Sequence, residues 1–205
     1  MHEAWVLFSS HVQWMGWNLF LAFLPLAIGV WLFRTERRRT VGWWVALAIF
    51  VALLPNAPYV MSDLIHLPGD VRAAPSMKVT VFGLLPLYGF YVLAGLEAYV
   101  LSVRLVRRSL GRTGGRALVV LVDIGAALCA AVGIFLGRID RLNSWDPLLE
   151  PHKVWTALGT VPNHLTLIVT TATVVLSAAT AVWLADLFAL RATRWVASRL
   201  RLRLH

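Results

Sequence analysis

The sequence predicts an all-α membrane protein, folded as a single domain of five membrane-spanning helices over residues 1–205. Hydrophobic residues make up 59% of the chain, charged residues only 14%, and the mean hydropathy is +0.72. Soluble domains carry about 25% charged residues, so a chain of this size needs lipid around much of its surface. Five apolar stretches are separated by breaks rich in charge, Pro and Gly, and the arginines concentrate in alternate breaks. The single cysteine, Cys129, excludes an intrachain disulfide.

Each of the five predicted spans is long enough to cross a bilayer, which takes about 20 residues at about 1.5 Å per residue. The spans cover residues 17–33, 41–60, 79–103, 117–137 and 165–190. A shorter apolar segment, residues 4–15, lacks the basic start and the cleavage site of a signal peptide. We expect it to form a short interfacial N-terminal helix or to extend the first span, because its tryptophans suit the membrane surface.

The distribution of the basic residues predicts the orientation of the chain. Most of the 19 Lys and Arg residues lie after the first and third spans and in the tail after the fifth. The positive-inside rule therefore places the N-terminus outside and the C-terminus in the cytoplasm. Since these clusters are short and lie next to the membrane, they predict contact with membrane lipids and no binding of nucleic acid.

The second span is interrupted by the sequence Leu-Pro-Asn-Ala-Pro. Pro55 and Pro58 remove backbone donors, and backbone freed at membrane depth has to be buried in protein or face a wet cavity. We expect Asn56 to cap a short helix that ends at Pro68-Gly69.

Three polar side chains of that short helix are spaced to share one face. Tyr59, Asp63 and His66 occupy positions i, i+4 and i+7 of an α-helical pattern. A second polar segment, residues 137–147, follows the fourth span and is predicted on the same outer side. Its arginines, Arg138 and Arg141, oppose the positive-inside bias, so specific partners must hold them there.

The segments LPNAPYVMSDLIHL and GRIDRLNSWD resemble the two signature segments of a bacterial membrane-protein family known as domain of unknown function 1361. The resemblance covers roughly residues 17–151. Ser62 stands where a Thr is commoner, and Leu142 where an aromatic residue is commoner. The resemblance implies a multi-pass bacterial membrane protein, which we expect in the plasma membrane, and it implies no particular reaction. The matching positions are Asn56, Ala57, Pro58, Tyr59, Asp63, His66, Arg138, Arg141, Asn143, Ser144, Trp145 and Asp146.

One interpretation of these residues is purely structural. Arg138 and Arg141 would pair with Asp63 and Asp146, and the remaining polar side chains would satisfy the ends of helices near lipid. The capping residues would be Asn56, Asn143 and Ser144.

A second interpretation is a membrane enzyme acting at the outer leaflet. A carboxylate and an imidazole opposite two arginines would place a general base beside an anion clamp. The candidate catalytic residues are Asp63, His66 and Asp146, and the candidate ligand-binding residues are Asn56, Tyr59, Arg138, Arg141, Asn143 and Ser144. The substrate would be an anionic lipid or an envelope precursor. The histidine spacing does not predict a metal site, and any cofactor is left unidentified.

A third interpretation is a small transporter, because the fifth span carries a stripe of polar side chains on about one third of its circumference. The stripe consists of Asn163, Thr166, Thr170, Thr173, Ser177 and Thr180. Hydroxyl groups are also ordinary contacts between membrane helices.

Three acids lie within the predicted spans, Glu97, Asp123 and Asp186. They would either relay protons or pair with arginines that extend toward the membrane surface, and we favour pairing. The arginines within reach are Arg104, Arg116 and Arg191.

The fourth span carries a ridge of small residues that would let another helix approach closely. The ridge consists of Gly125, Cys129, Gly133 and Gly137. Such an association suits a structural subunit of a membrane complex as well as a single bundle. We expect an outer polar site for an anionic, membrane-associated ligand, and the sequence leaves open whether that ligand is only bound or also transformed.

Overall fold

The computed structural model describes residues 2–34, 38–110, 115–143 and 146–202. Throughout these residues every regular element is helical. The α-helices are α1 (His2–Phe33), α2 (Val41–Leu53), α3 (Asn56–Tyr59), α4 (Leu67–Ala73), α5 (Met77–Val79), α6 (Leu85–Leu110), α7 (Arg116–Arg138), α8 (Asp146–Leu149), α9 (Pro151–Thr160) and α10 (Leu165–Leu202). Two 3₁₀ helices cover Val60–His66 and Val161–His164, and a π-helical turn covers Thr80–Leu84.

Five helical stretches of the described residues are long and apolar enough to cross a membrane, as predicted. They run over Val12–Phe33, Val41–Ala73, Met77–Leu110, Arg116–Arg138 and Pro151–Trp195. Their ends lie beyond the predicted ones because helical winding continues through flanking polar turns. Continuation keeps backbone donors and acceptors paired, whereas every helix end leaves several of them without an intrahelical partner.

The N-terminal segment takes one of the two forms expected for it, an extension of the first span. α1 is a single helix from His2 to Phe33, so residues 4–15 extend the first span and do not form a separate interfacial helix. No proline or charged break separates this segment from the span, and a helix tolerates Gly16 at a cost of about 1 kcal/mol. A break in the helix at the membrane boundary would leave several backbone hydrogen-bonding groups unpaired, which costs more than the glycine does.

The second span is broken where the sequence predicts, but its internal ends differ from the prediction. Asn56 is the first residue of α3 and not its cap, since Pro55 holds the capping position in a helical conformation. The helical path also does not end at Pro68-Gly69. Pro68 lies in the first turn of α4, where a missing N–H costs nothing, and α4 continues to Ala73.

Small residues allow α3 to lie deep between α6 and α7. A Cβ atom at Gly95 of α6 would collide with Val60 and with the Ala57 carbonyl oxygen. A Cβ atom at Gly133 of α7 would collide with the Pro55 ring. The irregular part of the second span is therefore enclosed by protein, as backbone at membrane depth requires.

The predicted ridge of α7 is largely used within the chain. Gly133 contacts Pro55, a Cβ atom at Gly137 would lie 2.9 Å from the Tyr59 ring, and Cys129 Sγ lies 3.6 Å from the Val51 carbonyl oxygen. Gly125 faces open space, with nothing within 4 Å of its Cβ position. α7 thus packs closely against the broken second span through three of these four residues.

Candidate functional site

An ion pair between Asp63 and Arg138 joins the two polar segments. Asp63 lies in the 3₁₀ helix Val60–His66 and is buried, with 2% of its surface exposed, while Arg138 is the last residue of α7. The Arg138 guanidinium donates to the Asp63 carboxylate, and its Nε donates to Ser62 Oγ at 2.8 Å. It also lies over the Tyr59 ring, 4.6 Å from the ring centroid. One of the predicted ion pairs is therefore present, together with a cation–π contact.

Two further side chains donate to the same carboxylate. Tyr91 of α6 donates its hydroxyl to Asp63 Oδ2, and Asn18 of α1 donates Nδ2 to that oxygen at 3.3 Å. A buried carboxylate keeps its charge when donors and an opposite charge compensate for lost water. Asp63 is thus a closed polar centre. Sequence reasoning missed Asn18 and Tyr91, although the amide of Asn18 within an apolar span was a signal.

The 3₁₀ winding separates the residues predicted to share a face. An α-helix has about 3.6 residues per turn and a 3₁₀ helix about three, so positions i, i+4 and i+7 no longer align. Tyr59 and Asp63 both contact Arg138, but His66 is exposed and its ring lies edge-on to Trp14 with centroids 5.8 Å apart.

The loop after α7 lacks the second predicted ion pair. The Asp146 carboxylate accepts from the backbone N–H of Asn143 at 2.7 Å, at the start of α8. Arg141 is exposed and adopts a positive φ of 54°, a conformation that turns the chain sharply. Within the described part of this loop, Arg141 and Asp146 form no ion pair. Arg141 forms the sharp turn, and Asp146 accepts from Asn143 instead. Ser144 lies outside the described residues.

A cavity of about 280 Å³ opens beside this centre, between α1, the broken second span and α7. Its hydrogen-bonding side chains are Asn18, Asn56, Tyr59 and Asn143. The other lining residues are apolar or glycine, namely Trp17, Leu21, Ala52, Pro55, Gly133, Leu136, Gly137, Leu142 and Val154. We call this cavity the amide cleft.

The amide cleft contains only part of the predicted site. Of the six candidate ligand-binding residues, Asn56, Tyr59 and Asn143 line it. The three candidate catalytic residues, Asp63, His66 and Asp146, are not among its lining residues. Among the described residues there is also no group of three or more His, Cys, Asp or Glu side chains that could hold a metal ion.

Two of the acids within the spans pair with arginine. Asp186 accepts from Arg104 at 2.7 Å, which confirms one predicted pairing. Asp123 pairs with Arg107, which was not among the arginines expected to hold it. Arg104 and Arg107 lie about one helical turn apart on α6. The sequence does not show which of these two side chains faces α7.

The polar stripe of α10 faces away from the bundle. Ile168, Ala172 and Val175 are buried on the opposite side of that helix. Hydroxyls of the stripe donate to carbonyl oxygens of the same helix, for example Thr170 Oγ1 to the Thr166 oxygen at 2.8 Å. Thr166, Thr170, Thr173 and Ser177 are all exposed. The stripe therefore does not line a polar path through the bundle, as the transporter interpretation requires.

Comparison with known proteins gives one match. A family model with the description "Protein of unknown function (DUF1361)" matches residues 17–182, which is more than half of the chain. This confirms the resemblance found in the two polar segments. No curated protein and no solved structure matches the chain.

Proposed function

The chain belongs to the protein family of unknown function DUF1361, and we propose that it is a membrane-embedded binding protein for an anionic, membrane-associated ligand. The ligand would place its polar head in the amide cleft. We also propose that the protein lies in a bacterial plasma membrane with this cleft on the outer side. The arginine-rich C-terminal ends of α6 and α10 would then face the cytoplasm, as the positive-inside rule favours.

The composition of the amide cleft carries this proposal. Three asparagine amides and the Tyr59 hydroxyl supply both donors and acceptors, while Trp17, Leu136 and Leu142 supply apolar walls. Ligand sites in proteins combine a mostly apolar lining with a few convergent polar groups. A cleft of this kind suits an amphiphile, whose head needs hydrogen bonds and whose tail needs an apolar surface.

An exposed arginine supplies positive charge for an anionic head. Arg141 lies in the loop that also contributes Leu142 and Asn143 to the cleft. Arg138 stacks on Tyr59, a lining residue, but its charge is compensated by Asp63. Phosphate and carboxylate groups are the anions that guanidinium groups recognise best. The proposed ligand class is therefore an anionic lipid or an envelope precursor.

The geometry supports binding better than catalysis. A general base has to reach the proton that it removes, whereas Asp63 is buried and already accepts from Asn18, Tyr91 and Arg138. Its surroundings fit a residue that fixes the positions of helices around the cleft. A hydrolase or transferase function would need catalytic groups other than this carboxylate.

The test is lipid binding by the purified full-length protein in a neutral detergent, followed by native mass spectrometry. Phosphatidylglycerol is the probe, and phosphatidylcholine with the same acyl chains is the zwitterionic comparison. We expect Asn143→Ala to weaken binding of phosphatidylglycerol about fivefold, the effect of one lost hydrogen bond. The matched control is Asn163→Ala, an exposed asparagine outside the cleft. Equal affinities of the two variants would contradict the proposal.

A subunit of a membrane complex is a second candidate, and the exposure of α10 favours it. In the most apolar part of the fifth span 17% of the residues are buried, against 28% to 33% in the other four. Exposed hydroxyl groups on a membrane helix suit contact with a neighbouring helix. Native mass spectrometry of the same sample reports the oligomeric state, and replacement of Thr173 by Leu should lower it.

A further inference from the structure

We infer that a second site, between α6 and α10, binds the phosphate of an anionic phospholipid. This site lies at the end of the bundle opposite the amide cleft, since α7 begins near it at Arg116 and ends beside the cleft at Arg138. It is formed by other residues, so it does not rest on the proposed function.

Two adjoining cavities define the site. One has a volume of about 280 Å³ and the other about 270 Å³, and Arg104, Arg107 and Trp183 line both. The second cavity also contacts Arg108, Leu187 and Leu190. Three arginines of one helix thus face an apolar wall formed by another. We call this pair of cavities the arginine cleft.

The acids nearby do not use all the donors of these arginines. Asp186 accepts from Arg104 Nη2 at 2.7 Å, and Asp123 pairs with Arg107. Arg104 Nε is buried without a hydrogen-bond partner in the described part of the chain. Arg108 is exposed, and it forms no ion pair with any acid that the structure describes. Among the residues that line the two cavities, three arginines therefore face a single acid, Asp123, and one buried donor is unused.

A phosphate group suits both the arginines of the cleft and the unused donor. It offers several acceptor oxygens, and its hydrogen bonds to guanidinium are charge-assisted and strong. A buried donor without an acceptor is costly, so an oxygen placed at Arg104 Nε would remove an existing penalty. Basic pockets between membrane helices are a recognised kind of site for the head groups of anionic lipids.

The apolar wall favours a phospholipid over a free phosphate ion. Trp183 is 38% exposed and Leu190 is 54% exposed, and both adjoin the arginines. A tryptophan beside arginines is typical of the boundary between head groups and acyl chains. An acyl chain attached to the bound phosphate would cover this surface, whereas inorganic phosphate would leave it uncovered.

The experiment measures lipid binding to the full-length protein in a neutral detergent by native mass spectrometry. Phosphatidylglycerol, phosphatidylcholine with matched chains and inorganic phosphate are titrated separately. We expect phosphatidylglycerol to bind at least about tenfold more tightly than phosphatidylcholine, and raised salt to reduce this difference. Inorganic phosphate is expected to compete only at much higher concentration.

Two variants change the cleft without leaving one partner of an ion pair alone: the first removes a positive charge, and the second removes the unused donor at unchanged net charge. Arg108→Gln changes an exposed residue, so the fold should be retained. The double variant R104Q/D186N removes both partners of the pair and the unused donor together. Each is expected to weaken phosphatidylglycerol binding about fivefold or more. Arg116→Gln, an exposed arginine at the same end outside both cavities, is the matched control and should change binding less than twofold.

Three results would overturn the inference. Unchanged binding in both cleft variants would exclude the site, and an equal loss in Arg116→Gln would show attraction to surface charge alone. Inorganic phosphate that competes as well as the lipid would exclude the phospholipid as the ligand. Arg108→Gln is also combined with Asn143→Ala. If their losses of phosphatidylglycerol affinity are additive, the two clefts bind the lipid independently.

Discussion

The Asp63 carboxylate accepts from side chains of three different helices. Asn18 belongs to α1, Tyr91 to α6 and Arg138 to α7, while Asp63 lies in the broken second span. One buried residue therefore joins four of the five spans at the end that contains the amide cleft. Such a residue contributes to the choice of one packing arrangement as well as to stability.

At the residue scale we predict that Asp63→Asn destabilises the protein by about 3 kcal/mol. The amide cannot compensate for the Arg138 charge, and loss of one partner of a buried ion pair is typically costly. Unfolding of the purified protein by a denaturing detergent measures the change. Asp146→Asn is the control, because its carboxylate accepts from an exposed backbone N–H and its loss should cost less than about 1 kcal/mol. Equal stability of the two variants would contradict a structural role for Asp63.

Part of this polar centre could be predicted from the sequence. Two arginines placed against the charge bias require acids nearby, and that argument leads directly to Asp63 and Arg138. The partners Asn18 and Tyr91 could not be found in this way. Which residue of a membrane helix faces inward depends on its rotation, and an apolar sequence on all sides encodes that rotation weakly.

At the scale of elements, the broken second span determines where the site lies. α3 and the following 3₁₀ helix sit between α1, α6 and α7, and glycines at the contacts allow this close approach. The sequence locates the break from its prolines. It does not reveal the 3₁₀ winding, because the spacing of polar residues alone does not distinguish it from an α-helix. The predicted face of Tyr59, Asp63 and His66 is therefore only partly formed.

Gly133 provides a test of this packing. We predict that Gly133→Ala destabilises the protein by about 1 to 3 kcal/mol, because its methyl group would collide with Pro55 and push α3 away from α7. Gly125→Ala on the same helix is the control. Its Cβ position has nothing within 4 Å, so the change should be neutral or slightly stabilising. Detergent-induced unfolding of both variants compares them, and similar destabilisation of the two would exclude close packing at Pro55.

At the scale of the whole molecule, the two ends of the bundle differ in chemistry. The amide cleft and its closed ion pair occupy one end, and the arginine cleft occupies the other. The polar stripe of α10 faces outward and does not join them. The two proposed sites would therefore lie at opposite membrane surfaces, and their assignment to outside and inside depends on the orientation of the chain.

Cysteine labelling in intact cells tests that orientation. In a Cys129→Ser background, a cysteine is introduced at the exposed Asn163, near the amide cleft end of α10, or at the exposed Arg116, where α7 begins. The positive-inside rule predicts that a membrane-impermeant maleimide labels Asn163→Cys in intact cells and labels Arg116→Cys only after permeabilisation. The reverse pattern would place the amide cleft on the cytoplasmic side and contradict the proposed outer site. Labelling of both positions in intact cells would mean that α7 does not cross the membrane between them, which would contradict the five-span fold itself.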